Sequence, residues 1–218
     1  MIKVLILDFD GVVLESVEVK TEAFRKLFSF SPEHVDEIVS FHIRNGGMSR
    51  FDKFRHIYKN ILKKPLSDDE FERLVFEFSG LVKQGVIDSR SVAGADTLLS
   101  ALLGKIPVYI VSATPEDEIN GIVKEKNLGI YFEGVYGSPA KKADLIRTII
   151  GLENTIPEDV LFVGDAINDL NAAIETEVRF VGRISSSVPD EFSGRDGVDA
   201  VVSDMHGLLD FLAEEGVL

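Results

Sequence analysis

The first segment of the chain does most to limit what it can fold into. Ile2–Leu7 is apolar apart from Lys3, is β-branched at Ile2, Val4 and Ile6, and stops abruptly at Asp8-Phe9-Asp10-Gly11. An apolar run without polar alternation describes a strand buried on both faces, as in a parallel sheet covered by helices on each side. Ile106–Val111 before Ser112 and Val160–Val163 before Gly164-Asp165 repeat the pattern, and Gly134–Tyr136, Arg179–Gly182 and Ala200–Ser203 are shorter versions of it. Helical patterns fill the intervals: Ala93–Leu103, Pro115–Asn127, Ala140–Ile150, Asn168–Thr176 and Met205–Glu214. Thr114-Pro115 predicts a helix cap and first helical residue, followed by Glu116, Asp117 and Glu118 where the helix dipole favours acids. This alternation predicts an α/β fold with a doubly wound, mostly parallel sheet.

Residues 15–88 break the alternation. They offer no convincing buried strand but four helical stretches, Val17–Phe30, Pro32–Arg44, Ser49–Leu62 and Ser67–Lys83. Ser67 with Glu70 three residues later predicts a capping box, and Ser31-Pro32 predicts a serine cap with proline at the first helical position. The expected organisation is an α/β core of residues 1–14 and 89–218, interrupted by a helical domain of residues 15–88 with joints at Gly11–Ser16 and Gly80–Ser91. Ser185–Gly197 reads as an exposed loop.

Composition narrows the function classes. Acids outnumber bases 37 to 23, and a net charge of −14 argues against nucleic acid or an anionic membrane as partner. No apolar run is long enough to span a membrane, and the N-terminal run is too short for a secretory signal. Cysteine is absent, which excludes disulfides, thiolate metal sites and cysteine nucleophiles and fits a cytoplasmic location. His34, His42, His56 and His206 lack metal-ligand spacing and read as surface or packing residues.

In an open parallel sheet, ligands bind beyond the carboxyl ends of the strands. Those ends carry Asp8 and Asp10, then Ser112-Ala113-Thr114, then Lys141 and Lys142, then Asp165 with Asp169. Four converging carboxylates are tolerated only around a cation, and an all-oxygen donor set suits Mg²⁺. A carboxylate beside such a cation is a competent nucleophile toward phosphorus, and a second one two residues away can move the leaving-group proton. Ser112, the backbone N–H of Ala113 and one of the two lysines would meet the phosphoryl oxygens. Gly11 permits a tight turn where backbone closes on a ligand.

Taken together, Asp8-Phe9-Asp10-Gly11-Val12-Val13, Val111-Ser112-Ala113-Thr114, Gly137-Ser138-Pro139-Ala140-Lys141-Lys142 and Gly164-Asp165-Ala166-Ile167-Asn168-Asp169 resemble, in order and spacing, the motifs of the haloacid dehalogenase superfamily, and the resemblance covers nearly the whole chain. It implies a phosphatase with a helical cap, of the phosphoglycolate phosphatase and β-phosphoglucomutase type. The resemblance implies Asp8 as nucleophile, Asp10 as general acid/base and, through its carbonyl, metal ligand, Asp165 and Asp169 as metal ligands, Ser112 as phosphate anchor, and Lys142 in preference to Lys141. In the cap, Lys20 and Arg44 or Arg50 are candidates to meet the substrate. The expected activity is Mg²⁺-dependent hydrolysis of a small phosphorylated metabolite through an aspartyl phosphate. A sugar phosphomutase is the alternative on the same scaffold. A dehalogenase needs no acidic cluster, a phosphonate hydrolase usually lacks the second acid, and a phospho-accepting receiver domain is shorter and has no helical insertion.

Overall fold

The structure is a computed structural model and describes residues 1–185 and 190–218. Among the described residues, six strands form one parallel sheet: β1 (Val4–Leu7), β2 (Val108–Pro115), β3 (Gly134–Ser138), β4 (Val160–Gly164), β5 (Arg179–Arg183) and β6 (Ala200–Val202), in the order β3-β2-β1-β4-β5-β6. β1 lies between β2 and β4, with Leu5 opposite Val108 on one side and Leu161 on the other. This central position explains its unbroken apolarity. Leu5 and Leu7 face one core with Ile110 and Leu161, while Val4 and Ile6 face a second core with Val111 and Phe162. Strand periodicity of two divides each run between the two cores.

The helices cover both faces. α5 (Ala95–Leu102), α6 (Glu116–Glu125) and α9 (Met205–Glu214) pack Leu98, Ile119 and Leu208 into the first core. α7 (Lys142–Leu152) and α8 (Ile167–Thr176) pack Ile146 and Leu170 into the second. The winding reverses beside β1: the chain moves from β1 to β2 and β3 on one side, then returns to β4 on the other. The crevice at this reversal is where an open α/β sheet binds its ligand.

Between β1 and α5 lie α1 (Val17–Leu27), α2 (Val35–Arg44), α3 (Arg50–His56, continuing as a π turn over Ile57–Ile61) and α4 (Asp68–Asp88). α4 buries Leu74, Phe78, Val82 and Val86 at four-residue intervals, one stripe of an amphipathic helix. Phe24, Phe54 and Phe78 meet at the centre, with ring centroids 4.8–5.8 Å apart. The two connections to the sheet run side by side: Glu15 N–H donates to the Arg90 carbonyl at 2.9 Å, and Val92 N–H to that of Val13 at 2.9 Å.

Several local expectations are corrected. α4 continues through Gly80 to Asp88, because its apolar stripe extends to Val86. Ser67 caps α4 by accepting from Glu70 N–H at 3.3 Å, but the Glu70 side chain accepts from Tyr58 Oη instead of completing the box. Ser31 does not cap α2. Its hydroxyl bonds Glu33 and His34 in a preceding turn, and the helix begins at Val35. Part of the loop expected at Ser185–Gly197 lies outside the described residues. Within the described part, Phe192 is buried against Phe180 rather than exposed. No helix among the described residues is long and apolar enough to cross a membrane.

Candidate active site

All four sequence-predicted strand ends meet at one edge, because parallel strands present their carboxyl ends together and β1 has β2 and β4 as neighbours. Asp8 follows β1 directly and is buried. Its N–H continues the ladder to the Val163 carbonyl, and its Oδ1 accepts from Phe9 N–H at 2.7 Å, which fixes the carboxylate. Asp165 follows β4. Asp169, wholly buried in the first turn of α8, accepts from Ala166 N–H at 3.1 Å. One oxygen from each of Asp8, Asp165 and Asp169 lies within 4.8 Å of the others.

Helix phase separates the two lysines. Lys141 is exposed just before α7, while Lys142 is buried, with Nζ 3.0 Å from Asp8 Oδ2 and 2.6 Å from Asp169 Oδ1. Its pKa is raised: burial acts downward, but Asp169 and Asp8 outweigh it. Burial, opposed by Lys142 and reinforced by Asp169 and Asp10, pushes the Asp8 carboxyl up to about 7. Burial and the charges of Asp8 and Asp169 push Asp165 well above the usual carboxylate range. Three carboxylates against one ammonium leave two negative charges, which one divalent cation balances. The donor set is entirely oxygen, so these residues fit a hard divalent ion.

Asp10 turns away from this cluster. Its Oδ1 accepts from Ser16 Oγ at 2.6 Å, and its Oδ2 accepts from Lys20 Nζ and from Thr114 Oγ1 at 3.1 Å. Burial acts upward on Asp10, but Lys20 and these hydrogen bonds hold its carboxyl below the usual value. Its side chain is therefore apart from the other three acids, and only its carbonyl is left for the metal role implied by the resemblance. Thr114 is a site residue that sequence reasoning missed. It was expected to cap α6, whereas its hydroxyl donates to Asp10 and accepts from Lys20 Nζ at 2.7 Å, and Pro115 stands at the cap position. A hydroxyl at the end of a strand that carries Ser112 was the available signal.

Ser112 is buried, and its Oγ accepts from Thr114 N–H at 3.1 Å. The pairing of β2 with β3 shifts register between Val111 and Pro115, so the backbone of Ser112, Ala113 and Thr114 leaves the regular ladder beside the site. Such irregularities re-aim groups next to active sites. The loop after β1 turns through Gly11 at φ +78°, and a Cβ there would stand 2.1 Å from Asp165 Oδ2. Arg183, unmarked in the sequence reading, holds this loop: Nη1 donates to the Gly11 carbonyl at 3.1 Å and Nη2 to Glu15 at 2.6 Å.

The inserted helices touch the site at two places. Lys20 of α1 reaches Asp10. The loop from α2 to α3 rests on the start of α8: Asn168 Nδ2 donates to the Gly46 carbonyl at 2.5 Å, and a Cβ on Gly47, at φ +71°, would come within 3.2 Å of Asp169 Oδ1. Arg44 is exposed at the end of α2. The guanidinium of Arg50 is engaged by Glu118 of α6, at 2.6 and 2.9 Å.

The fold and site thus define an α/β protein of the type that gathers carboxylates, a lysine and a serine at the carboxyl edge of a parallel sheet. Residues 2–175 match the haloacid dehalogenase-like hydrolase family, and the chain belongs to that family. Phosphoglycolate phosphatase 1 of Pseudomonas aeruginosa is 26% identical over 193 residues, 81% of this chain and 67% of the relative. A hydrolase from Pseudomonas syringae superposes with a TM-score of 0.82 at 22% identity, covering 97% of this chain and 98% of its own. β-Phosphoglucomutase from Clostridium difficile gives 0.76 at 18% identity, covering 98% and 96%.

Proposed function

We propose that this hydrolase is a Mg²⁺-dependent phosphatase of small phosphomonoesters that works through an aspartyl phosphate, with residues 15–88 acting as a cap over a core of residues 1–14 and 89–218. The carrying observation is the placement of Lys142 between Asp8 and Asp169, with Asp165 in the same cluster. The relation to a curated phosphoglycolate phosphatase supports the same reading. Asp8, Asp165, Asp169 and the carbonyl of Asp10 would hold the Mg²⁺, whose chemistry is to neutralise phosphoryl oxygens.

Each group of the chain has a role that follows from its position. Lys142 anchors the Asp8 carboxylate and offers positive charge to the phosphoryl group. Ser112 Oγ and the Ala113 N–H donate to phosphoryl oxygens. An Asp8 oxygen bonds to phosphorus as the ester P–O bond breaks, and the leaving oxygen takes a proton from Asp10. Asp10 then removes a proton from water, whose oxygen attacks phosphorus. The acyl phosphate bond breaks, inorganic phosphate leaves and the Asp8 carboxylate is restored. Asp10 cycles between its two protonation states, and Lys20 favours the ionised one. The acidic charge of the chain and its lack of cysteine support a cytoplasmic enzyme of small metabolites rather than of nucleic acid or membranes.

The test is phosphate release from p-nitrophenyl phosphate. Turnover is expected to require Mg²⁺ and to fall to background in Asp8→Asn. Turnover unaffected by chelation of divalent ions overturns the mechanism.

A further inference from the structure

Residues 53–67 contain no acid, although acids outnumber bases 37 to 23 in the chain. They carry Lys53, Arg55, Lys59, Lys63 and Lys64. Lys53 is buried, whereas the other four line one cavity of about 550 Å³ between α3 and the start of α4. The local backbone brings them together. α3 widens into the π turn over Ile57–Ile61, Leu62 N–H donates to the Ile57 carbonyl at 2.9 Å, and Lys63 takes a left-handed conformation at φ +52°. The chain thereby doubles back, and Lys64 N–H donates to the Tyr58 carbonyl at 2.9 Å. Single π turns are rare and are found often at functional sites.

The four cations are short of partners. Arg55 stands 3.7 Å from an exposed Asp52, and no carboxylate among the described residues pairs with Lys59, Lys63 or Lys64. Asp68, the first residue of α4, is the acid of the lining. Like charges gathered around one hollow repel each other and draw in an anion. The rest of the wall offers Tyr58, Leu66 and Phe71, with the Arg55 guanidinium 4.5 Å from the Phe71 ring. The cavity shares no residue with the candidate active site. It lies at the Asp68 end of α4, and the joint to the sheet, where Glu15 pairs with Arg90, follows the other end, a helix of 21 residues and roughly 30 Å away.

We infer that this cavity is a second ligand site, which takes an organic polyphosphate of the nucleoside triphosphate kind. Its phosphoryl groups meet Arg55, Lys59, Lys63 and Lys64, and its base lies along Tyr58, Leu66 and Phe71. The inference goes beyond the phosphatase reading and does not depend on it. A chain of phosphoryl groups presents anionic oxygens to several separate cations at once, whereas a lone carboxylate or orthophosphate leaves most of them unpaired. The aromatic and aliphatic wall suits a flat, weakly polar base. The volume falls within the roughly 300–1,000 Å³ usual for small-molecule sites.

The test is calorimetric titration of ATP into the full chain in EDTA. Without divalent ions the catalytic edge holds three carboxylates against one lysine and repels anions, so the heat reports the cavity. Saturable binding at one site is expected. Lys63→Met and Lys64→Met should each weaken it by about 2- to 5-fold, the range of an exposed charge pair, and the triple variant with Lys59→Met by about 10- to 100-fold. The three lysines are exposed, so Tm should stay at the parent value. Asp68→Asn should tighten binding, an effect that mere loss of structure does not produce. Absence of saturable heat at millimolar ATP, or a triple variant that binds like the parent, overturns the inference. Tripolyphosphate binding as tightly as ATP overturns the nucleoside assignment, and adenosine binding as tightly overturns the role of the cations. Because no turnover is read, failure of the phosphatase reading shows separately, as absence of phosphate release in Mg²⁺.

Discussion

Arg50→Met tests how the inserted helices are held on the sheet. The Arg50 guanidinium makes two parallel bonds to Glu118, at 2.6 and 2.9 Å, donates to Ser79 at 2.8 Å, and lies 4.7 Å from the Phe78 ring. The two side chains are 4% and 10% exposed, so this is a buried pair joining α3 to α6. Removing one member of a buried pair typically costs about 3–5 kcal/mol, because the remaining charge has no partner. Glu118 keeps some support from the positive end of α6, about 1 kcal/mol at most in the ordinary case. The net loss is therefore about 2–4 kcal/mol, which for a chain of this size lowers Tm by roughly 5–15 °C. Urea and thermal unfolding measure it. Adding Glu118→Leu should recover most of the loss, since apolar replacement of both members of a buried pair is close to neutral. A single variant within about 1 kcal/mol of the parent, or a double variant equal to the sum of the singles, refutes the reasoning. An unchanged Tm with a large rise in KM would instead restore the sequence expectation that Arg50 meets the substrate.

Two further outcomes follow from the charges at the site. Lys20→Met removes the cation that holds Asp10 ionised, so the Asp10 carboxyl rises and the alkaline limb of the kcat/KM profile should move to higher pH; an unmoved limb separates Lys20 from the acid/base group. Without divalent ions, the folded chain carries an extra proton on Asp8 between its ordinary value of 3.8 and about 7, and Asp165, also raised well above its ordinary value, adds to the effect, whereas the unfolded chain has released these protons, so stability should fall as pH rises from about 4 towards 7. Mg²⁺ should flatten the fall and release protons on binding, and a denaturation midpoint equally pH-dependent with and without Mg²⁺ contradicts the assignment of these acids to the ion.

The primary structure determined the sheet, the helical insertion and the gathering of Asp8, Ser112 and Asp165. A doubly buried run such as Val4–Leu7 is legible because burial on both faces leaves no polar position, and parallel strands direct every carboxyl end to the same edge. Residues lying directly after those runs therefore announce the site without any knowledge of long-range contacts.

Tertiary structure decided everything that depends on how one element faces another. The sequence prefers Lys142 to Lys141 only through the resemblance, whereas the phase of α7 against β1 buries the second alone, on Asp8. Thr114 meets Asp10 across 104 residues, Arg50 meets Glu118 across 68, and Arg183 meets Gly11 across 172. The pairing of Lys53 with His42 bridges two helices in the same way. Hydrophobic periodicity encodes which face of an element is buried, because burial acts on each element's whole stripe at once. It carries no record of which polar partner waits opposite, since a charged side chain obeys distance and direction in space, and those are set only when the elements have packed.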